Sequence, residues 1–219
     1  MPAAALAPQP AFDNVRLIGG NINGRYTLTA GAQGLRCFAC RAQSISPRAV
    51  ALSGPVSGVV GEPVNIHFSD FGILQANISR VIDFGFVADL LATTEERQRI
   101  AAKIRWLRKH TTATAPDQRQ HARRLPRSPR SSLLLGDGTR VGCFIIDMSS
   151  SGVAVSADYE PEIGQPLAVG RAVGRVVRHL ELGFAVQFVV EQDVNDLDRI
   201  LRRIDEDEPE AESSWGLSP

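Results

Sequence analysis

The sequence predicts a mainly β protein made of two small antiparallel barrels, each followed by a helix. Three observations carry that prediction. A series of landmarks recurs along the chain, short alternating runs are separated by turn residues, and aromatic side chains are scarce, at 6% of 219 residues, while small and β-branched ones abound. Such a composition suits compact barrels with tight turns better than one large aromatic-lined catalytic cleft.

The recurrence is specific enough to align. Cys40 to Leu52 lies on Cys143 to Val155 at an offset of 103 residues, which sets Ser44 on Asp147, Ser46 on Ser149 and Ala49 on Gly152. Gly61-Glu62-Pro63 falls on Gly164-Gln165-Pro166 at the same offset, and after a shift of five residues Gly85-Phe86 falls on Gly183-Phe184. A fixed period of this kind marks a duplicated structural unit.

In the first copy, alternation predicts strands at 26–29, 35–42, 49–52, 64–68, 73–81 and 85–90. Thr93-Thr94-Glu95-Glu96 is a capping box, and Ile100, Ile104 and Leu107 follow at helical spacing. In the second copy, strands at 131–135 and 139–146 flank Gly136-Asp137-Gly138, a hairpin turn, and further strands fall at 152–157, 166–170, 174–179 and 183–189. Val194, Leu197, Leu201 and Ile204 then share one helical face. Closure into barrels follows because it removes the exposed edges of so many short strands. The expected organisation is a disordered start (1–15), a first barrel with helix (16–110), a basic linker (111–130), a second barrel with helix (131–204) and an acidic, disordered tail (205–219).

A formal net charge of zero hides strong segregation: residues 97–130 hold 11 Lys and Arg against one acid, Asp117, whereas six acids and no base follow from Asp205 onward. A basic block attracts phosphates, and an acidic tail favours solubility. Of the basic block, Arg97 to Lys109 reads as the solvated face of the helix, with Trp106 as a packing anchor between the barrels. The N-terminus lacks a signal-peptide pattern, and no apolar run approaches the roughly 20 residues of a membrane span, so no membrane insertion and a cytoplasmic location are expected. Cys37, Cys40 and Cys143 are an odd number, and one CxxC with scattered histidines gives no metal site. Cys40 and Cys143 read as structural strand residues.

Two segments carry the chemistry. In the first, from His121 to Arg130, Pro126 and Pro129 forbid a helix and leave a loop rich in arginines. A guanidinium fork fits a phosphate, pairs with guanine O6 and N7, or stacks on the base. The second is Asp147-Met148-Ser149-Ser150-Ser151-Gly152 at a strand end. The aspartate can accept from guanine N1–H and N2–H, serine adds a hydrogen bond, and glycine permits close backbone approach. Phosphate donors beside guanine acceptors are what a guanine dinucleotide requires.

These residues resemble the PilZ domain family of bacterial cyclic di-GMP receptors, whose pattern is RxxxR in a loop before a barrel and [D/N]xSxxG on an early strand. Arg123 to Arg127 and Asp147, Ser149, Gly152 reproduce it in order, over roughly 119–204. The resemblance implies tandem PilZ-like barrels with motifs intact only in the second. It also implies cyclic di-GMP as ligand, no further cofactor, no catalysis, and Arg123, Arg124, Arg127, Asp147, Ser149 and Gly152 as its contacts. Arg119, which forms a second overlapping RxxxR with Arg123, and Ser151 are candidate outer contacts. The first copy has Ser44 to Ala49 where the motif falls and no RxxxR at Gly20 to Gly24, so it reads as a degenerate copy that docks an unidentified protein partner. The competing readings are a nucleic-acid-binding protein or a ligand-independent protein-interaction adaptor, either using residues 97–130.

Overall fold

A computed structural model describes residues 15–29, 34–110 and 123–202 of the chain. The first unit runs β1 (Leu17–Thr29), β2 (Leu35–Ile45), β3 (Ala49–Ser53), β4 (Pro63–Phe68), β5 (Gly72–Ile82), β6 (Gly85–Leu90) and α1 (Thr94–His110). The second runs β7 (Arg130–Leu135), β8 (Arg140–Ser149), β9 (Gly152–Ala157), β10 (Pro166–Val169), β11 (Ala172–Leu180), β12 (Gly183–Phe188) and α2 (Leu197–Ile200). Each set of six strands closes into an antiparallel barrel, in the orders β1-β2-β3-β6-β5-β4 and β7-β8-β9-β12-β11-β10, so the expected fold class holds.

Period-2 alternation does the folding. Val64, Ile66 and Phe68 of β4 and Leu74, Ala76 and Ile78 of β5 point inward in one barrel, and Phe184, Val186 and Phe188 of β12 do so in the other. Each fully buried side chain of this size contributes roughly 1.5–3 kcal/mol through removal from water. Two separate cores result, one around Tyr26, Phe68 and Phe86, the other around Leu133, Ile145 and Phe184. The Tyr26 ring meets Phe86 edge-on at 5.2 Å, and its hydroxyl donates to the Val56 carbonyl. Burial pushes the Tyr26 phenol well above its ordinary range.

The repeat is visible in backbone detail. β2 is bulged between Ala42 and Ser44 against β3, and β8 is bulged between Ile145 and Asp147 against β9, at the same offset that relates Cys40 to Cys143. A second pair of bulges falls at Ile78/Arg80 and Val176/Arg178. Gly85 and Gly183 open β6 and β12 at φ 129° and 152°, and a Cβ there would lie 2.0 Å from the Leu52 carbonyl oxygen and 1.9 Å from that of Val155. Both positions therefore demand glycine twice over, for conformation and for space.

The helices differ. α1 is capped as its sequence predicts: Thr93 N–H donates to Glu96 Oε2 at 2.7 Å, Glu96 N–H donates to Thr93 Oγ1 at 3.3 Å, and Ile100, Ala101 and Ile104 are buried. The cap's hydrogen bonds hold the Glu96 carboxyl below its ordinary range. α2 is one turn. Leu197 and Leu201 are buried as expected, but the lead-in from Val194 is not helical, because Asp193 Oδ1 accepts from Asn195 N–H at 2.8 Å and stabilises a turn in its place. Ile204 lies outside the described residues. Trp106 is half exposed, stacked on His110 at 4.5 Å beneath Lys103, and so is not buried as an anchor between the barrels. Among the described residues no helix is long and apolar enough to cross a membrane.

The barrels meet through equivalent parts. The β5–β6 turn offers Asp83 to Arg130 of β7, and the corresponding β11–β12 turn offers Glu181 to Arg25 of β1. Phe84 stacks on Phe144 at 6.4 Å, Arg36 pairs with Asp158, and Ala39 N–H donates to Ser156 Oγ at 3.1 Å in a buried bond.

Candidate functional site

The end of β8 and the incoming loop build the site. Arg124 and Met148 form a two-way backbone bridge, with Arg124 N–H donating to the Met148 carbonyl at 2.8 Å and Met148 N–H to that of Arg124 at 3.0 Å. This bridge zips the loop onto the strand just past the bulge. A bulge re-aims the side chains beside it. Here Asp147 is turned to meet Arg123, whose Nη1 donates to Asp147 Oδ2 at 3.0 Å, with the carboxylate only 24% exposed.

Arg123, Asp147, Ser149, Ser151 and Gly152 line one cleft of about 330 Å3. Ala154, Val177 and Ala185 add apolar lining, and Arg178 and Gln187 line the same cleft. Ser149 Oγ donates to the Gly152 carbonyl and lies 3.3 Å from Ser151 Oγ. Two guanidinium groups, a carboxylate, two hydroxyls and some apolar lining can hold a flat polar base and an attached phosphate.

The structure separates the two arginines of the RxxxR pair. Arg124 and Arg127 line a neighbouring cleft of about 340 Å3 with Asn195, Arg199 and Arg202 at α2. Arg127 is tied there by its backbone: its N–H donates to Asp198 Oδ1 at 2.8 Å while its side chain is 95% exposed. Arg119 and His121 lie outside the described residues.

Two features escape sequence reading. Gly152, expected to allow close approach of a ligand, is needed by the barrel itself, since a Cβ there would lie 2.5 Å from the Val186 carbonyl oxygen of β12. Arg178 went unnoticed because simple alternation places it on the same face as the buried Val176; the bulge between them turns both Val177 and Arg178 outward. Its only sequence signal is an arginine interrupting an apolar strand.

The first barrel keeps part of this arrangement. Leu17 pairs with Ile45 as Arg124 pairs with Met148, so Arg16 occupies the place of Arg123, and its Nη2 donates to Ser44 Oγ at 2.9 Å. The position four residues on is Gly20, so this register, like Gly20 to Gly24, holds no RxxxR pair. Asp89 stands where the second barrel has Gln187.

The cysteines are free. Cys40 and Cys143 are buried in equivalent strands, and burial pushes the Cys143 thiol up to about 12, while Cys37 is exposed. No group of His, Cys, Asp or Glu among the described residues could hold a metal.

The site is thus an arginine–aspartate cleft at a strand end of a closed β-barrel. Residues 117–206 match the PilZ domain. No curated protein matches the chain. Similar solved structures include the Bacillus subtilis inhibitor of motility MotI/DgrA, 13% identical over 84% of this chain and 94% of that one, with a TM-score of 0.29. Borreliella burgdorferi PlzA in complex with c-di-GMP is 14% identical over 82% of this chain and 86% of that one, with a TM-score of 0.26. Escherichia coli YcgR in complex with c-di-GMP is 14% identical over 83% and 80%, with a TM-score of 0.25.

Proposed function

We propose that the protein is a cytoplasmic cyclic di-GMP receptor, a binding module rather than an enzyme, whose ligand enters the cleft at Arg123, Asp147, Ser149 and Ser151. The observation that carries the reading is the convergence of these side chains, with Arg178, on one cleft of the segment that matches the PilZ domain. Asp147 accepts from the guanine N1–H and N2–H edge, the serines add hydrogen bonds, and Arg123 exchanges its aspartate partner for phosphate. Arg124 and Arg127 supply further phosphate contacts when the loop swings from α2 to the cleft.

That swing is the output. A ligand shifts a conformational equilibrium only by its differential affinity for the two states, and the present attachment of Arg127 to Asp198 is one of those states. The change is passed to a protein partner on the first barrel. Parallel titration with cyclic di-GMP, cyclic di-AMP and GTP tests the reading. Preference for the first is expected, and equal affinity for all three defeats it, as does an Arg127→Ala variant that binds like the parent.

One observation favours a second reading, nucleic-acid binding. α1 presents Arg99, Arg105, Arg108 and Lys109 on its exposed surface beside half-exposed Trp106, a cationic face with a stacking ring. Steep salt dependence and indifference to Asp147→Ala in gel shifts would identify it.

A further inference from the structure

Arg41 is the residue at which the duplicated barrels depart furthest from each other at their junction. On β2 it occupies the place that Phe144 holds on β8, by the same offset that relates Cys40 to Cys143. Phe144 answers an aromatic neighbour, Phe84. Arg41 is also buried, at 8% exposure, and a guanidinium withdrawn from water is costly unless hydrogen-bonded. Burial lowers its pKa, in keeping with that cost.

Its partners identify its task. Nε donates to Asn23 Oδ1 at 3.3 Å within the first barrel, and Nη1 donates to the carbonyl of Pro126 at 2.7 Å, in the loop that leads into the second. Pro126 is the buried residue of that loop, with exposed Arg123, Arg124 and Leu125 before it and exposed Arg127 and Ser128 after it. Nη2 has no hydrogen-bond partner among the described residues, so the group keeps donor capacity for a second acceptor. The other fixed points of the loop, Met148 and Asp198, belong to the second unit.

We infer that Arg41 is a positioning residue of the ligand site: from the first barrel it pins the Pro126 carbonyl, between Arg123 and Arg127 and next to the latter, and so sets where both arginines of the loop stand. The degenerate barrel is thereby part of the binding site, without touching ligand. The ligand half of this inference rests on the cyclic di-GMP reading; the loop half does not.

The test uses the full chain and two readouts. Arg41→Met fills the space but removes the donors, Arg41→Lys restores one donor and the charge, and Asp158→Asn breaks an inter-barrel ion pair made by Arg36. Without ligand, trypsin is expected to cut after Arg123, Arg124 or Arg127 several-fold faster in Arg41→Met than in the parent. Arg41→Lys should recover much of the protection, and Asp158→Asn should cut like the parent. By calorimetry, losing this charged hydrogen bond should weaken cyclic di-GMP binding about tenfold in Arg41→Met and less in Arg41→Lys. Unchanged loop cleavage in Arg41→Met overturns the inference, as does equal acceleration in Asp158→Asn, which would make Arg41 merely part of the interface. Faster cleavage with unchanged affinity overturns the ligand half. A parent that binds no cyclic di-GMP defeats the proposed function while cleavage still decides the role of Arg41.

Discussion

At Asp147 and at Ser44 the same strand, bent by the same bulge, meets an arginine that enters beside it, Arg123 in one barrel and Arg16 in the other. The second barrel answers with a carboxylate, the first with a hydroxyl. Across the cleft the second barrel has neutral Gln187, the first has Asp89, which accepts from Ser79 Oγ at 3.1 Å and would repel a phosphate. The pairing geometry is thus a property of the shared frame, while the barrels differ in a few charges placed upon it.

The largest expected effect tests the frame. Gly85→Ala and Gly183→Ala should each destabilise by about 3–5 kcal/mol, since either Cβ collides with a carbonyl, and matching losses in urea melts would confirm that the barrels share one construction. Unequal losses would break the equivalence.

Next comes charge. Asp147→Ala should weaken cyclic di-GMP binding by 1.5–3 kcal/mol, or roughly 10- to 150-fold, whereas the mirrored Ser44→Ala should leave calorimetric affinity unchanged. Gly152→Ala should lower stability by about 1–3 kcal/mol because the strand must move from the Val186 carbonyl, and any loss of affinity should track that loss. Arg178→Ala is expected to weaken binding several-fold, by about 1 kcal/mol, with Arg80→Ala, its counterpart, silent.

The smallest effect concerns α1. Thr93→Ala should lower stability by about 1 kcal/mol in a thermal melt. Because the folded Glu96 carboxyl titrates below its ordinary value, the stability that capping box contributes is present above the unfolded pKa and is lost as pH falls through the folded one. The difference between parent and Thr93→Ala should accordingly shrink in acid.

Strand boundaries from Gly85 to Leu90 and from Gly152 to Ala157 were legible in the sequence because each is a short, largely apolar run that a glycine opens. β1 was legible only at its end. Its first half, rich in glycine and asparagine, shows no alternation, and the pairing with β2 alone makes it a strand. Asp147, Ser149 and Arg123 could be selected from spacing because one strand end and one loop bring them together. Arg178 could not, since a bulge changes the face without changing the residues. Nor could the position of Arg127 be read, since its N–H donates to Asp198 and the carbonyl just before it, that of Pro126, accepts from Arg41, 85 residues earlier in the chain.

The reciprocal ion pairs at the junction, turn of one barrel to first strand of the other in both directions, have a consequence for assembly. A two-fold contact uses the same parts on both sides, and here equivalent turns each reach the first strand of the opposite barrel, at positions two residues out of step, Arg130 matching Asn23 and Arg25 matching Ser132. The chain is in that sense a dimer written as a single polypeptide. Fusion frees its two subunits from having to stay identical, so one can keep the site while the other changes the residue that holds its loop.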